Sequence, residues 1–214
     1  MSLTVILGLA VGVFLNACAD RLPHREARRP LGVRRFVRWS IVLTLSIGLV
    51  AYLQRTYGWS LAFTMRTSYG SLLLLIATID FEHRLIPNVL VGSGMLLALV
   101  FNVFYRMPGL APALWGAVVG GGTFGLLALA RRDSLGMGDV KLAALIGMMT
   151  GFPSVLQALT IGVILGGLAA GLLLLTRVRT GKQYMPYGPY LVAGGMATLL
   201  HGQSLAHWYA SLIR

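Results

Sequence analysis

Two aspartates carry the chemical question in this sequence. Asp80 closes the apolar run "SLLLLIATID" and Asp139 opens "DVKLAALIGMM", in a chain of 214 residues that holds six acidic side chains. A charged side chain at membrane depth costs about 3 kcal/mol, so an acid kept at the end of an apolar helix is a functional candidate. Two carboxylates facing one another in a partly desolvated site do not both ionise readily; one keeps a proton while the other acts as base. Such a pair can activate water against a carbonyl and then protonate the leaving group. The bland alternative is that each acid fixes a helix end at the interface, paired with Arg84 or Lys141. The glycines of "GMGD", Gly136 and Gly138, weigh against it for Asp139 by letting another backbone approach the carboxylate.

No competing catalytic set stands out. The four histidines, His24, His83, His201 and His207, are scattered, and there is no His-Glu-x-x-His spacing, P-loop or glycine-rich nucleotide fingerprint. His83 lies close enough to Asp80 in sequence for a carboxylate-histidine metal site, but a bystander interfacial histidine outweighs that reading. The one cysteine, Cys18, excludes an intramolecular disulfide and a cysteine-rich zinc site. No metal is expected.

The elements that must hold these acids are membrane helices. The chain is 57% hydrophobic and 11% charged, with a mean hydropathy of +0.77. Its apolar runs are continuous rather than alternating, which favours helices over an outer-membrane barrel. Eight segments are expected, at about 2–18, 39–53, 60–79, 89–105, 112–130, 140–151, 154–176 and 186–201. The fold class is therefore all-α, a polytopic bundle of about eight transmembrane or membrane-inserted helices in a single integral membrane domain over 1–214. The sixth segment is too short to span comfortably and leads into a tight turn at "TGFP", 150–153; Arg66 interrupts the third and could delay its start. Glycines 120–122, with Gly166 and Gly167, read as close helix-packing positions.

With the N-terminus outside, fourteen Lys and Arg residues fall in inner segments and four, Arg55, Arg66, Arg106 and Arg214, outside. All six acids, Asp20, Glu26, Asp80, Glu82, Asp133 and Asp139, then share the cytoplasmic face. This distribution assigns the formal charge of +12 to topology rather than to nucleic acid. Residues 1–18 have some features of a secretory signal, but no positive charge precedes them and seven arginines follow, so an uncleaved first helix is expected. Lys141 reads equally as a charge that lowers the Asp139 pKa and as a snorkelling interfacial lysine. Pro186, Gly188 and Pro189 read as an ordinary helix start or as a rigid loop over the site.

Four stretches together resemble the type IV prepilin peptidases, bacterial membrane aspartic proteases of the GxGD kind. "GMGDVKL" at 136–142 is similar to the family's second aspartate motif, and "IDFEHRLIPN" at 79–88, with Pro87, to its first. "GVFLNACADRLP" at 12–23 is similar to an N-terminal signature, and "MPYGPYLVAGG" at 185–195 to the C-terminal "PFGP" signature. The resemblance implies that Asp80 and Asp139 are catalytic. It further implies a multi-pass protein of the inner membrane whose active site, at the cytoplasmic face, removes a short basic leader from type IV pilin-like precursors. Lipid and precursor are then the expected partners. Glu82, Asp133, Asp20 and Glu26 are candidate leader contacts, each set against a simpler role as a solvated or arginine-paired charge. Many members also methylate the new N-terminus with S-adenosylmethionine, an activity in which Asn16, Arg21 and Pro23 are implied. The arginine-rich loop, placed at 19–38, lacks the paired Cys-x-x-Cys motifs and zinc subdomain of larger members. Two rivals remain: a transporter that binds protons or cations on the same acids, and a scaffold that keeps the fold without catalysis. No internal repeat supports the first, and the second would be expected to lose an aspartate.

Overall fold

The computed structural model describes residues 2–22, 32–130, 136–176 and 187–212. They form eight helices and no strand: α1 Ser2–Arg21, α2 Gly32–Tyr57, α3 Leu61–His83, α4 Asn88–Tyr105, α5 Leu110–Ala130, α6 Met137–Thr150, α7 Ser154–Leu175 and α8 Gly188–Leu212. Six of them, α1 to α5 and α7, are long and apolar enough to cross a membrane. The chain divides into two compact units, Met1–Pro87 and Asn88–Arg214.

In the first unit α1, α2 and α3 pack against one another. Gly8 and Gly12 of α1, one turn apart, face α2. A Cβ built on Gly8 would lie 2.7 Å from the Ile47 Cα, and one on Gly12 3.1 Å from the Leu43 Cα. Small residues at this spacing let two backbones close up where lipid leaves no hydrophobic drive to pack helices. The Asn16 side chain stays within α1, its Nδ2 donating to the Gly12 carbonyl at 3.0 Å.

Arg66 does not delay α3. The helix starts at Leu61 with Ser60 as its cap, the Ser60 hydroxyl accepting from the Phe63 N–H, and the Arg66 guanidinium lies 4.4 Å from the centre of the Tyr57 ring. An arginine stacked on an aromatic face keeps its charge compensated inside a helical run. The loop expected over 19–38 is also shorter in its described parts. The first helix continues to Arg21, and the second begins at Gly32, because arginine favours helix nearly as well as leucine.

The second unit is built around α6, which packs against α4, α5, α7 and α8. At 14 residues it is about 21 Å long, short of a ~30 Å hydrocarbon core. Leu142, Ala143, Leu145, Ile146, Met148 and Met149 are all buried, as in a helix that is apolar on every side and enclosed by protein. Two glycine contacts bring α5 onto it. A Cβ on Gly116 would collide with the Gly147 carbonyl, and one on Gly120 with that of Ala143. A Cβ on Gly121 would lie 3.0 Å from that of Ala144, whereas Gly122 and Gly167 face open space and Gly166 makes room for the Tyr187 ring rather than for a helix backbone.

Asn102, 1% exposed on α4, ties the far end of α6. Its Nδ2 donates to the Ala98 carbonyl at 2.7 Å and the Met148 carbonyl at 3.3 Å, and its Oδ1 accepts from the Gly109 N–H. The turn after α6 pivots on Gly151 at φ 73°, a conformation costly for any residue with a Cβ. Helix α8 carries a non-helical His201 (φ −129°, ψ 16°), where the sequence reading ends it, and then resumes to Leu212.

Candidate active site

Asp80 sits in the last turn of α3 and is 4% exposed. Its own carbonyl accepts the N–H of Arg84, which closes the helix in the left-handed conformation at φ 52°. A side chain other than glycine pays about 1–2 kcal/mol there, so the segment just beyond Asp80 is held against its local preference. Glu82 and Asp20, read from the sequence as candidate leader contacts, belong to an ion network in the same unit. The Arg38 Nη1 donates to Glu82 Oε2 at 2.7 Å, the Arg38 Nη2 to Asp20 Oδ1, and the Arg35 Nη2 to Asp20 Oδ2 at 2.5 Å. Both carboxylates therefore meet arginines of the chain itself. His83 Nε2 stands 3.7 Å from Glu82 Oε2, and no group of three or more metal-ligating side chains occurs among the described residues. Pro87 lies half-buried between Ile86 and the start of α4.

Asp139 occupies the third position of α6 and is likewise 4% exposed. Its carboxylate reaches back to accept the Gly136 N–H at 3.2 Å, while its own N–H donates to the Gly136 carbonyl. The aspartate thus caps its helix, where the N-terminal end of the peptide dipoles favours an anion. Gly136, the cap that precedes the helix, has ordinary extended angles, φ −82° and ψ 151°, so a glycine is not required there for a left-handed turn. Lys141 turns away to Asn88, its Nζ donating to Oδ1 at 2.9 Å, and so links the starts of α6 and α4.

Burial raises the Asp139 pKa above its ordinary value, against a smaller lowering by the Gly136 N–H. The sign of the pH dependence follows. A carboxyl with a raised pKa binds more protons folded than unfolded between the two values, so its effect on stability declines as pH rises from roughly 4. We expect the Tm of the purified protein to fall across that window, and Asp139→Asn to flatten the slope. An equal slope in both proteins would assign the effect elsewhere.

Tyr187, inside the stretch "MPYGPY", is a neighbour of Asp139 that the sequence reading passes over. Burial, and then the Asp139 charge, raises its phenol pKa. Its ring fills the space left by Gly166 and lies 5.9 Å from the ring of Phe124 and 6.4 Å from that of Tyr190. Gly188 is buried and Pro189 half-buried at the start of α8, which packs on α6. The signal in the sequence was an aromatic between Pro186 and Gly188. Of the residues singled out there, Pro23, Glu26, Asp133 and Pro186 lie outside the described residues. Asp80, Asp20 and Glu82 belong to the first unit; Gly136, Gly138, Asp139, Lys141, Gly188 and Pro189 belong to the second.

The profile of the type IV leader peptidase family matches residues 67–171, a stretch that takes in both aspartates. A prepilin leader peptidase/N-methyltransferase of Pseudomonas aeruginosa is 28% identical over 268 aligned positions, covering 96% of this chain and 92% of the relative. Across both aspartates this chain is similar to the type IV leader peptidase family. The protein of the same name from Pseudomonas putida is 28% identical, covering 99% of this chain and 93% of its own length. That from Escherichia coli K12 is 27% identical, with 93% and 95% covered. The 99% alignment takes in all four motif stretches, which lie within residues 12–195. The Pseudomonas aeruginosa alignment is longer than this chain of 214 residues, so that leader peptidase carries segments absent here. No solved structure matches the chain. With six helices fit to cross a membrane and similar bacterial proteins aligned along its length, this chain is a multi-pass bacterial membrane protein.

Proposed function

We propose that the protein is an aspartic endopeptidase of the inner membrane that removes the basic leader from type IV prepilin-like precursors, with Asp80 and Asp139 as its catalytic pair. The observation that carries this reading is that both aspartates are 4% exposed at helix ends and both fall within the family match. In the proposed site one aspartate keeps its proton while the other, ionised, takes a proton from water. The oxygen of that water adds to the scissile carbonyl. The C–N bond then breaks as the protonated aspartate delivers its proton to the leaving amine. The products are a free carboxylate on the leader and a free amine on the mature chain.

A precursor suits this position if its hydrophobic helix lies in the bilayer and its basic leader meets the cytoplasmic face, where the positive-inside pattern puts both aspartates. Glu82 and Asp20 already share their charge with Arg38, so these two carboxylates are committed to the chain's own arginine rather than to a basic leader. Gly136, Gly138 and Tyr187 form the surroundings of Asp139, and Gly188 and Pro189 begin the helix packed behind it.

The names of the relatives include N-methylation, for which S-adenosylmethionine would be the donor. The described residues do not fit such a site. Asn16 is fully buried and bonded within α1, while Arg21 is exposed at its end. At five residues apart they point in directions about 140° apart around the helix. No methyl-transfer step is therefore derived.

Purified protein in detergent, given a synthetic precursor with a basic leader and an apolar helix, should yield two products cut at the leader boundary. Mass spectrometry should show the addition of one water. An intact precursor, together with proton or cation flux through the protein in vesicles, would replace this reading with the transporter.

A further inference from the structure

We infer that Arg38 is a positioning residue for Asp80, a clamp that fixes the last turn of α3 against α1 and α2; the inference rests on Asp80 being catalytic. Arg38 stands in the second turn of α2, and its side chain is 7% exposed. It spends one guanidinium nitrogen on Glu82 of α3 and another on Asp20 of α1. Glu82 is two residues beyond Asp80, in the turn that carries the catalytic carboxylate.

Three features make this a clamp rather than a surface ion pair. First, α1 and α3 both bring their C-terminal ends to this place, where unpaired carbonyls and an acidic side chain from each helix would repel one another. A cation between them answers both the carboxylates and the negative ends of the peptide dipoles. Second, the planar fork of arginine reaches two carboxylates from fixed positions; a lysine ammonium, a single point, does not reproduce that geometry. Third, the chain supplies its own contrast. Arg35 pairs with the other oxygen of Asp20, but its side chain is 54% exposed, so water and salt screen it and it contributes little. The buried arginine is the one that reaches α3.

The clamp acts on the direction in which Asp80 is held. A shift of about 1 Å in a catalytic group costs about 100-fold in rate without changing how substrate binds. The test is leader cleavage by the full chain in detergent, with kcat and KM measured per mole of folded protein. Arg38→Gln and Glu82→Gln should each lower kcat about 10- to 100-fold and leave KM within about twofold. The double variant should lose no more than the worse single, because both remove the same contact. Arg38→Lys should restore only part of the rate, and Arg35→Gln should cleave as the wild type does. Glu82→Gln leaves Arg38 bonded to Asp20 and so serves if Arg38→Gln does not fold.

Unchanged kcat in Arg38→Gln and Glu82→Gln, beside an inactive Asp80→Asn, would overturn the clamp and leave the peptidase reading standing. A raised KM at constant kcat would overturn it too, by making the network a leader contact. An active Asp80→Asn would overturn both.

Discussion

Asp139→Asn should lower leader cleavage by about 10³- to 10⁴-fold, the range lost with an essential acid or base, while the protein still inserts and keeps its helices. The substitution is close to isosteric, and the amide oxygen can still accept the Gly136 N–H that now bonds the carboxylate. Capping of α6 should therefore survive. What is lost is the proton that moves to or from the side chain during the reaction. Asp80→Asn should behave alike, because the Arg84 N–H bonds the backbone carbonyl of residue 80, which the change does not touch. Circular dichroism and the amount of membrane-inserted protein provide the control. A variant that cleaves normally would sink the assigned role of that aspartate.

The second large effect is one of packing. Gly147→Leu should destabilise the second unit by about 3 kcal/mol or more, at the upper end for overpacked interiors. A Cβ at position 147 would strike the Gly116 carbonyl and lie 2.5 Å from its carbonyl carbon. Backbone on both helices would have to separate, since the obstructing atoms do not belong to a movable side chain. Helix α6 carries Asp139 at its other end, so activity should be lost with the fold. Gly122→Ala and Gly167→Ala, where a Cβ meets nothing within 4 Å, should leave the Tm within a few degrees of the wild type. Thermal unfolding in detergent would measure all three. A Tm for Gly147→Leu equal to that of Gly122→Ala would refute the close α5 to α6 contact.

Much of this fold was readable from the sequence because lipid-facing helices announce themselves by length and hydropathy. The eight segments matched eight helices, and the short sixth one behaved as a buried helix before a tight turn. Helix ends at polar residues were less legible. Hydropathy ends the first segment at residue 18 and begins the second at 39, because charge there resembles a loop. In the structure Asp20, Arg35 and Arg38 are helical residues bonded to one another, and a hydropathy pattern does not reveal which charges pair. Arg66 interrupts the apolar run of α3 in the same way, yet its charge is met by the Tyr57 ring.

At the site, the two aspartates were legible as acids at the ends of apolar runs, and the four motif stretches strengthened that assignment. Tyr187 was not, because its approach to Asp139 depends on α6 packing on α8 and on the gap left by Gly166. The partners of Asp20 and Glu82 also required tertiary structure. A carboxylate that meets a basic leader and one that meets a neighbouring helix look the same in sequence.

The central claim is that Asp80 and Asp139 act as one acid–base pair. Its most direct measurement is the cleavage rate of wild type, Asp80→Asn, Asp139→Asn and the double variant, with one precursor peptide and one preparation. Residues that act as a unit are strongly non-additive. The account predicts that each single variant loses nearly all activity and that the double variant is no slower than the slower single. Wild-type rates in either single variant, or losses that multiply in the double, would contradict it.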